Sequence, residues 1–97
     1  TTDLGIEPVY RAPGPVLNAV TVGTTVSLSW TEVPNAYAYV IYRSTVIGGP
    51  FALLLSGLVS RSYVDTPPNS GTFYYRVTAI EPNFGESEVS NVASATV

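Results

Sequence analysis

Three features of the 97 residues predict an all-β domain, a sandwich or a barrel of short antiparallel strands. Apolar residues recur with period two rather than 3.6. Clusters of Gly, Pro and Asn separate the apolar runs at roughly 8–12-residue spacing, which is strand spacing. No stretch of about ten residues free of Gly and Pro carries a helical stripe.

The elements follow in chain order. Thr1–Arg11 stands apart, cut off by Ala12-Pro13-Gly14-Pro15, which breaks any regular element. It holds Leu4, Ile6 and Tyr10 at even spacing. It reads as an interdomain linker or as an extra strand, and Pro8 confines such a strand to a sheet edge because it donates no ladder hydrogen bond. Residues 12–97 read as the domain proper. In Thr25–Thr31, Val26, Leu28 and Trp30 alternate with Ser27, Ser29 and Thr31, the pattern of a half-buried strand. Ala38–Ser44 is rich in tyrosine and β-branched residues, with Tyr39 and Ile41 on one face and Val40 and Tyr42 on the other. Phe51–Leu55 is a short apolar strand, and Ser62–Asp65 is another. Phe73–Ile80 places Phe73, Tyr75, Val77 and Ala79 on one face, and Tyr74, Arg76, Thr78 and Ile80 on the other. Val89–Val97 closes the chain. The connections are Val33-Pro34-Asn35, Gly48-Gly49-Pro50, Pro67-Pro68-Asn69-Ser70-Gly71 and Pro82-Asn83-Phe84-Gly85, all turn chemistry.

Composition narrows the function. The length is one domain. There is no Cys, Met or His, and no Lys or Gln. The usual zinc, haem and iron–sulfur ligands are therefore missing, as are a thiol nucleophile and the base of a Ser-His-Asp triad. The four basic residues, Arg11, Arg43, Arg61 and Arg76, are scattered and the net charge is -3, which argues against nucleic acid. No apolar run approaches the ~20 residues of a membrane-spanning helix. No secretion signal opens the chain at Thr1, as expected of a mature or excised chain. Only 11% of residues are charged, against about 25% for an average domain, and that suits a surface packed against neighbours. Missing lysine leaves sheet edges less protected against strand pairing.

Val26-Ser27-Leu28-Ser29-Trp30 followed by Ala36-Tyr37-Ala38-Tyr39-Val40-Ile41-Tyr42-Arg43-Ser44 resembles strands B and C of a bacterial fibronectin type III domain. Gly48-Gly49-Pro50-Phe51 resembles its C–C′ turn. Ser62-Tyr63-Val64-Asp65-Thr66 and Gly71-Thr72-Phe73-Tyr74-Tyr75-Arg76-Val77-Thr78-Ala79 resemble strands E and F, and Gly85-Glu86-Ser87 through Ser90-Asn91 resembles the F–G turn and the start of G. The resemblance runs from Pro13 to Val97. It implies an immunoglobulin-like, seven-stranded antiparallel β-sandwich, with strands A, B and E on one sheet and C, C′, F and G on the other. Trp30 is then a core anchor facing Tyr39, Ile41, Tyr75 and Val77. Two residues depart from the pattern. Phe73 stands where the family usually has a tyrosine whose hydroxyl bonds back to backbone, and Pro68 stands near a usual leucine.

No catalytic constellation emerges. Glu81, Glu86 and Glu88 flank the F–G turn and read as a solvated acidic tip, without the spacing of a calcium loop. Asp65 reads as a structural carboxylate accepting backbone hydrogen bonds from the turn that follows it. No catalytic, cofactor-binding or metal-ligating residue is assigned, and no cofactor is expected. The candidate interaction face is the outer side of the C–F sheet: Val40, Tyr42, Tyr74, Arg76 and Ile80, extended by Leu54 and by Val46 and Ile47 in the C–C′ loop. Tyr and Arg on one face are what interface hot spots favour. The resemblance implies a non-catalytic extracellular module, a spacer and protein-interaction unit of a secreted or cell-surface protein. Its partners are neighbouring domains or further copies of itself. The alternatives are a self-assembling subunit joined by Thr1–Arg11 or a sheet edge, and a carbohydrate-binding module using Tyr42 and Tyr74 on a polysaccharide. Neither membrane insertion nor nucleic acid is expected.

Overall fold

The computed structural model describes residues 13–82 and 85–97. Segment 1–11 and the centre of the Pro82–Gly85 turn lie outside the described residues. Eight strands form: β1 (Leu17–Val22), β2 (Thr25–Trp30), β3 (Ala38–Ser44), β4 (Ala52–Leu58), β5 (Ser62–Asp65), β6 (Thr72–Glu81), β7 (Gly85–Glu86) and β8 (Ala93–Thr96). One sheet has the order β1-β2-β5, and the other runs β4-β3-β6 with β7 and β8 both paired to β6. All pairings are antiparallel. This is the expected sandwich, with one strand more than the seven predicted.

The core is made by the period-two pattern. Val26, Leu28 and Trp30 from one sheet meet Tyr39, Ile41, Tyr75, Val77 and Ala79 from the other, and Leu17, Val33, Phe73 and Ala95 complete the cluster. The Trp30 and Tyr39 rings pack edge-on with centroids 5.6 Å apart, the arrangement ring quadrupoles favour. The Tyr39 hydroxyl accepts from the Val33 amide at 3.2 Å, so this tyrosine also fixes the turn after β2.

The extra strand comes from a break in the last one. Between β7 and β8 the chain leaves the ladder, and serine hydroxyls take over as acceptors. The Ala79 amide donates to Ser87 Oγ and the Val77 amide to Ser90 Oγ, both at 2.9 Å. The Ser87 and Ser90 amides donate to the Ala79 and Val77 carbonyls. Both serines are buried, so these bonds satisfy β6 amides that have no access to water.

Asn91 then ties in β1, which alternation in the sequence had not singled out. Its amide accepts from Leu17 N at 2.8 Å and donates to the Leu17 carbonyl at 3.0 Å. The Thr21 hydroxyl donates to the Thr96 carbonyl at 3.0 Å. The first and last strands are thereby held together across the gap between the sheets.

Candidate functional site

The outer face of β4-β3-β6 carries the residues expected to meet a partner. Register puts them there: Ala38, Val40, Tyr42 and Ser44 pair with Ile80, Thr78, Arg76 and Tyr74. Paired residues share a face.

The centre of this face is covered by the protein itself. Glu86 pairs with Ile80, and its Oε2 accepts from the hydroxyls of both Tyr42 and Thr78. Burial pushes the Tyr42 hydroxyl above its ordinary pKa, and the Glu86 carboxylate adds to the shift. The Arg76 guanidinium lies 4.3 Å from the centroid of the Phe51 ring, a cation–π contact. As a result Thr78 and Val40 are only 1% and 7% exposed although they point away from the core. Tyr42, Tyr74, Arg76 and Ile80 are half-buried.

Two positions differ from expectation. Val40 is buried rather than presented. Leu54 packs against the core, because pairing shifts around it: Tyr42 faces Leu53 and Ile41 faces Leu55. That bulge turns Leu53 outward, 61% exposed, in its place. Val46 and Ile47 are 56% and 65% exposed. The open apolar part of this face is therefore a corner of Val46, Ile47 and Leu53. It adjoins a shallow groove of about 390 Å³ whose lining includes Ser44, Val46 and Pro50.

A second cluster is buried between the sheets. Asp65 on β5 accepts two bonds from Arg43 Nη1 on β3, at 2.9 and 3.1 Å. It also accepts the Tyr75 hydroxyl from β6 at 2.7 Å. Burial, and then the adjacent carboxylate, push the Tyr75 hydroxyl well above its usual pKa. Asp65 was expected to bond backbone, and instead joins the two sheets through side chains. Arg43 also lies 5.7 Å from the Phe73 ring centroid, so the position lacking a hydroxyl packs beside this network. The sequence signal was available: with Tyr39 and Ile41 inward, Arg43 must point inward too, and a buried guanidinium needs a carboxylate.

The acidic tip is also only partly solvated. Glu81 is 6% exposed and Glu86 is engaged as above, while Glu88 is exposed. Among the described residues no group of three His, Cys, Asp or Glu is placed to hold a metal ion. No helix among them is long and apolar enough to cross a membrane.

Two antiparallel sheets, a Trp anchor and a self-covered outer face define an immunoglobulin-like sandwich module. No protein-family model matches the chain. A solved Fn3-like protein from Clostridium thermocellum is 31% identical, with each chain covered to 88% and a TM-score of 0.72, and the chain belongs to this fibronectin type III-like family. An amylopullulanase of Thermoanaerobacter thermohydrosulfuricus is 41% identical over 87 residues. A poly(3-hydroxybutyrate) depolymerase of Ralstonia pickettii is 37% identical over 86 residues. These matches take in 87% and 88% of this chain but only 6% and 16% of the two enzymes. The chain thus corresponds to one small part of larger multidomain proteins.

Proposed function

We propose that the domain is a non-catalytic accessory module of a larger extracellular protein, and that it sets the spacing and orientation of its neighbours. One observation carries this reading: the described chain enters and leaves the sandwich at opposite ends. Gly14 sits so close to the Val89 carbonyl that a Cβ there would lie 2.3 Å from its oxygen. Val97, at the other end, exchanges two backbone bonds of 2.9 Å with Gly71. Ser87 and Ser90 bond β6 at Ala79 and Val77, so the two points are separated by the run of β6 from Gly71 to about Thr78. At about 3.3 Å per residue that run is roughly 23 Å. Whatever precedes and follows such a module is held apart by a rigid strut.

The two enzymes act, by their names, on different polymers. A module common to both supplies something other than recognition of one polymer. The tyrosines support this. Tyr42 is half-buried with its hydroxyl tied to Glu86, and Tyr74 is half-buried as well, so neither stands out as a fully exposed ring for a sugar to stack on. The interaction part of the role falls to the corner of Val46, Ile47 and Leu53.

Native gels cast with soluble starch or poly-galacturonate test the reading. Unchanged mobility of the chain is expected in both. Retardation that Tyr42→Ala abolishes would make it a carbohydrate-binding module instead.

A further inference from the structure

Endoproteases whose specificity pocket holds a carboxylate cut after arginine or lysine. The chain has no lysine, and its arginines among the described residues are Arg43, Arg61 and Arg76. Their settings differ. Arg43 and Arg76 stand in β3 and β6, which are paired on both sides. Their side chains are taken up by Asp65 and by the Phe51 ring. Arg61 is exposed and lies in the short link from β4 to β5, close to Val59 at 79% exposure. Its carbonyl accepts from the Trp30 amide at 3.0 Å. A protease must draw that same oxygen into its oxyanion hole, so the bond after Arg61 is closed while β5 stays on β2.

β5 is otherwise lightly held. Among the described residues it pairs with β2 alone. Of its four residues Ser62 and Val64 are exposed, Tyr63 is half-buried, and Asp65 is buried. The charge-assisted bonds of Asp65 to Arg43, together with the Tyr75 hydroxyl, are its strongest tie to the opposite sheet. We propose, on the reading of the domain as a module of an extracellular protein, that Arg61–Ser62 is a latent cleavage site for endoproteases that cut after arginine, and that Asp65 is the latch that keeps it shut. Hydrolysis adds one water across the amide and leaves a carboxylate on Arg61 and an amine on Ser62. The cut falls between paired strands of both sheets, parting β2 from β5 and β3 from β6 in the chain. Cutting of a folded protein follows the population of its locally opened form, and the latch sets that population for β5.

Limited digestion of the full chain with trypsin, followed by intact mass, tests this. In Asp65→Ala the first cut within residues 13–97 is expected after Arg61, about a hundredfold faster than in the unaltered chain, as for a broken buried pair. Tyr75→Phe keeps the ion pair and should speed the same cut about tenfold. It serves alone if Asp65→Ala fails to fold, which the near-ultraviolet signal of Trp30 reports. Ser90→Ala weakens the opposite sheet without touching β5, and should leave the Arg61 rate within about twofold, since local opening is independent of distant bonds. First cuts after Arg43 or Arg76 in the latch variants overturn the proposal, because they report global unfolding. So does an Arg61 rate that Ser90→Ala raises as far as Tyr75→Phe does, or one that neither latch variant changes. Retardation in the polysaccharide gels sinks the module reading and leaves these rates as they are, so the two failures are distinct.

Discussion

Two side chains carry much of the specificity of the core. Trp30 is 5% exposed and packs edge-on against Tyr39. Trp30→Ala removes the largest apolar anchor and leaves a cavity between the sheets. It is expected to cost about 3–5 kcal/mol, read from the shift of the urea midpoint at unchanged slope. Asp65 is 4% exposed and receives Arg43 and Tyr75 together. Asp65→Ala strands a guanidinium and a phenol, and is expected to cost about 3 kcal/mol, at the low end for a broken buried pair since Arg43 keeps some contact with water. Tyr75→Phe removes only one donor from Asp65 and should cost about 1–2 kcal/mol near neutral pH.

The same tyrosine makes stability fall with alkali. Its folded-state pKa is raised, while the unfolded phenol titrates near about 10. Above that pH the unfolded chain releases a proton that the folded chain keeps, so stability is full below about 10 and declines as pH rises toward the folded value. Tyr42 is shifted in the same direction. Tyr75→Phe lacks its share of the decline. The stability gap to the unaltered chain, measured by denaturation at pH 8 and pH 11, is therefore expected to narrow at the higher pH.

At the scale of elements, alternation made β2, β3 and β6 legible, and β3 and β5 have the ends that the sequence predicts. β1 was not legible by alternation because only Leu17 on it is buried and Ala19 half-buried, while Asn18, Val20, Thr21 and Val22 are all exposed. Two exposed valines and an exposed threonine erase the contrast. The break between β7 and β8 was hidden for a related reason: Ser87 and Ser90 look like ordinary strand residues until their hydroxyls are seen to receive β6 amides. Ser87→Ala and Ser90→Ala each orphan one buried amide, at an expected cost of about 1–3 kcal/mol. Hydrogen exchange should speed up first at Ala79 in one variant and at Val77 in the other. Asn91→Ala loses two bonds to Leu17. Its exchange signature belongs at β1, with little change in β3; uniform acceleration would show that β1 is not held by this side chain. Of the candidate face, its location on the C–F sheet was legible, and its closure was not. Closure depends on Phe51 and Glu86 reaching over from outside β3 and β6.

For the whole molecule, the edges bear on whether copies join. Missing lysine suggested open edges, and the described strands are shielded by other means. β4 pairs with shifts on both sides of Ile41 and carries Gly57 at φ +75°, and bulges of this kind spoil a flat template for pairing. β5 has four residues, and β1 is bonded to β8 through Thr21 and Thr96 and to the segment before β8 through Leu17 and Asn91. Among the described residues, what remains open are side-chain surfaces: the corner of Val46, Ile47 and Leu53, and the outer face of β1-β2-β5 with Val20, Val22 and Val64. A sandwich with guarded edges and open faces is suited to sit between domains of one chain rather than to polymerise. Sedimentation velocity on the full chain and on a chain beginning at Ala12, from micromolar to about millimolar concentration, the range that tethering supplies, tests this most directly. A single monomeric boundary in both is the predicted result. Growth with concentration would contradict it, and growth lost on removing residues 1–11 would make that segment the joint of an assembling subunit.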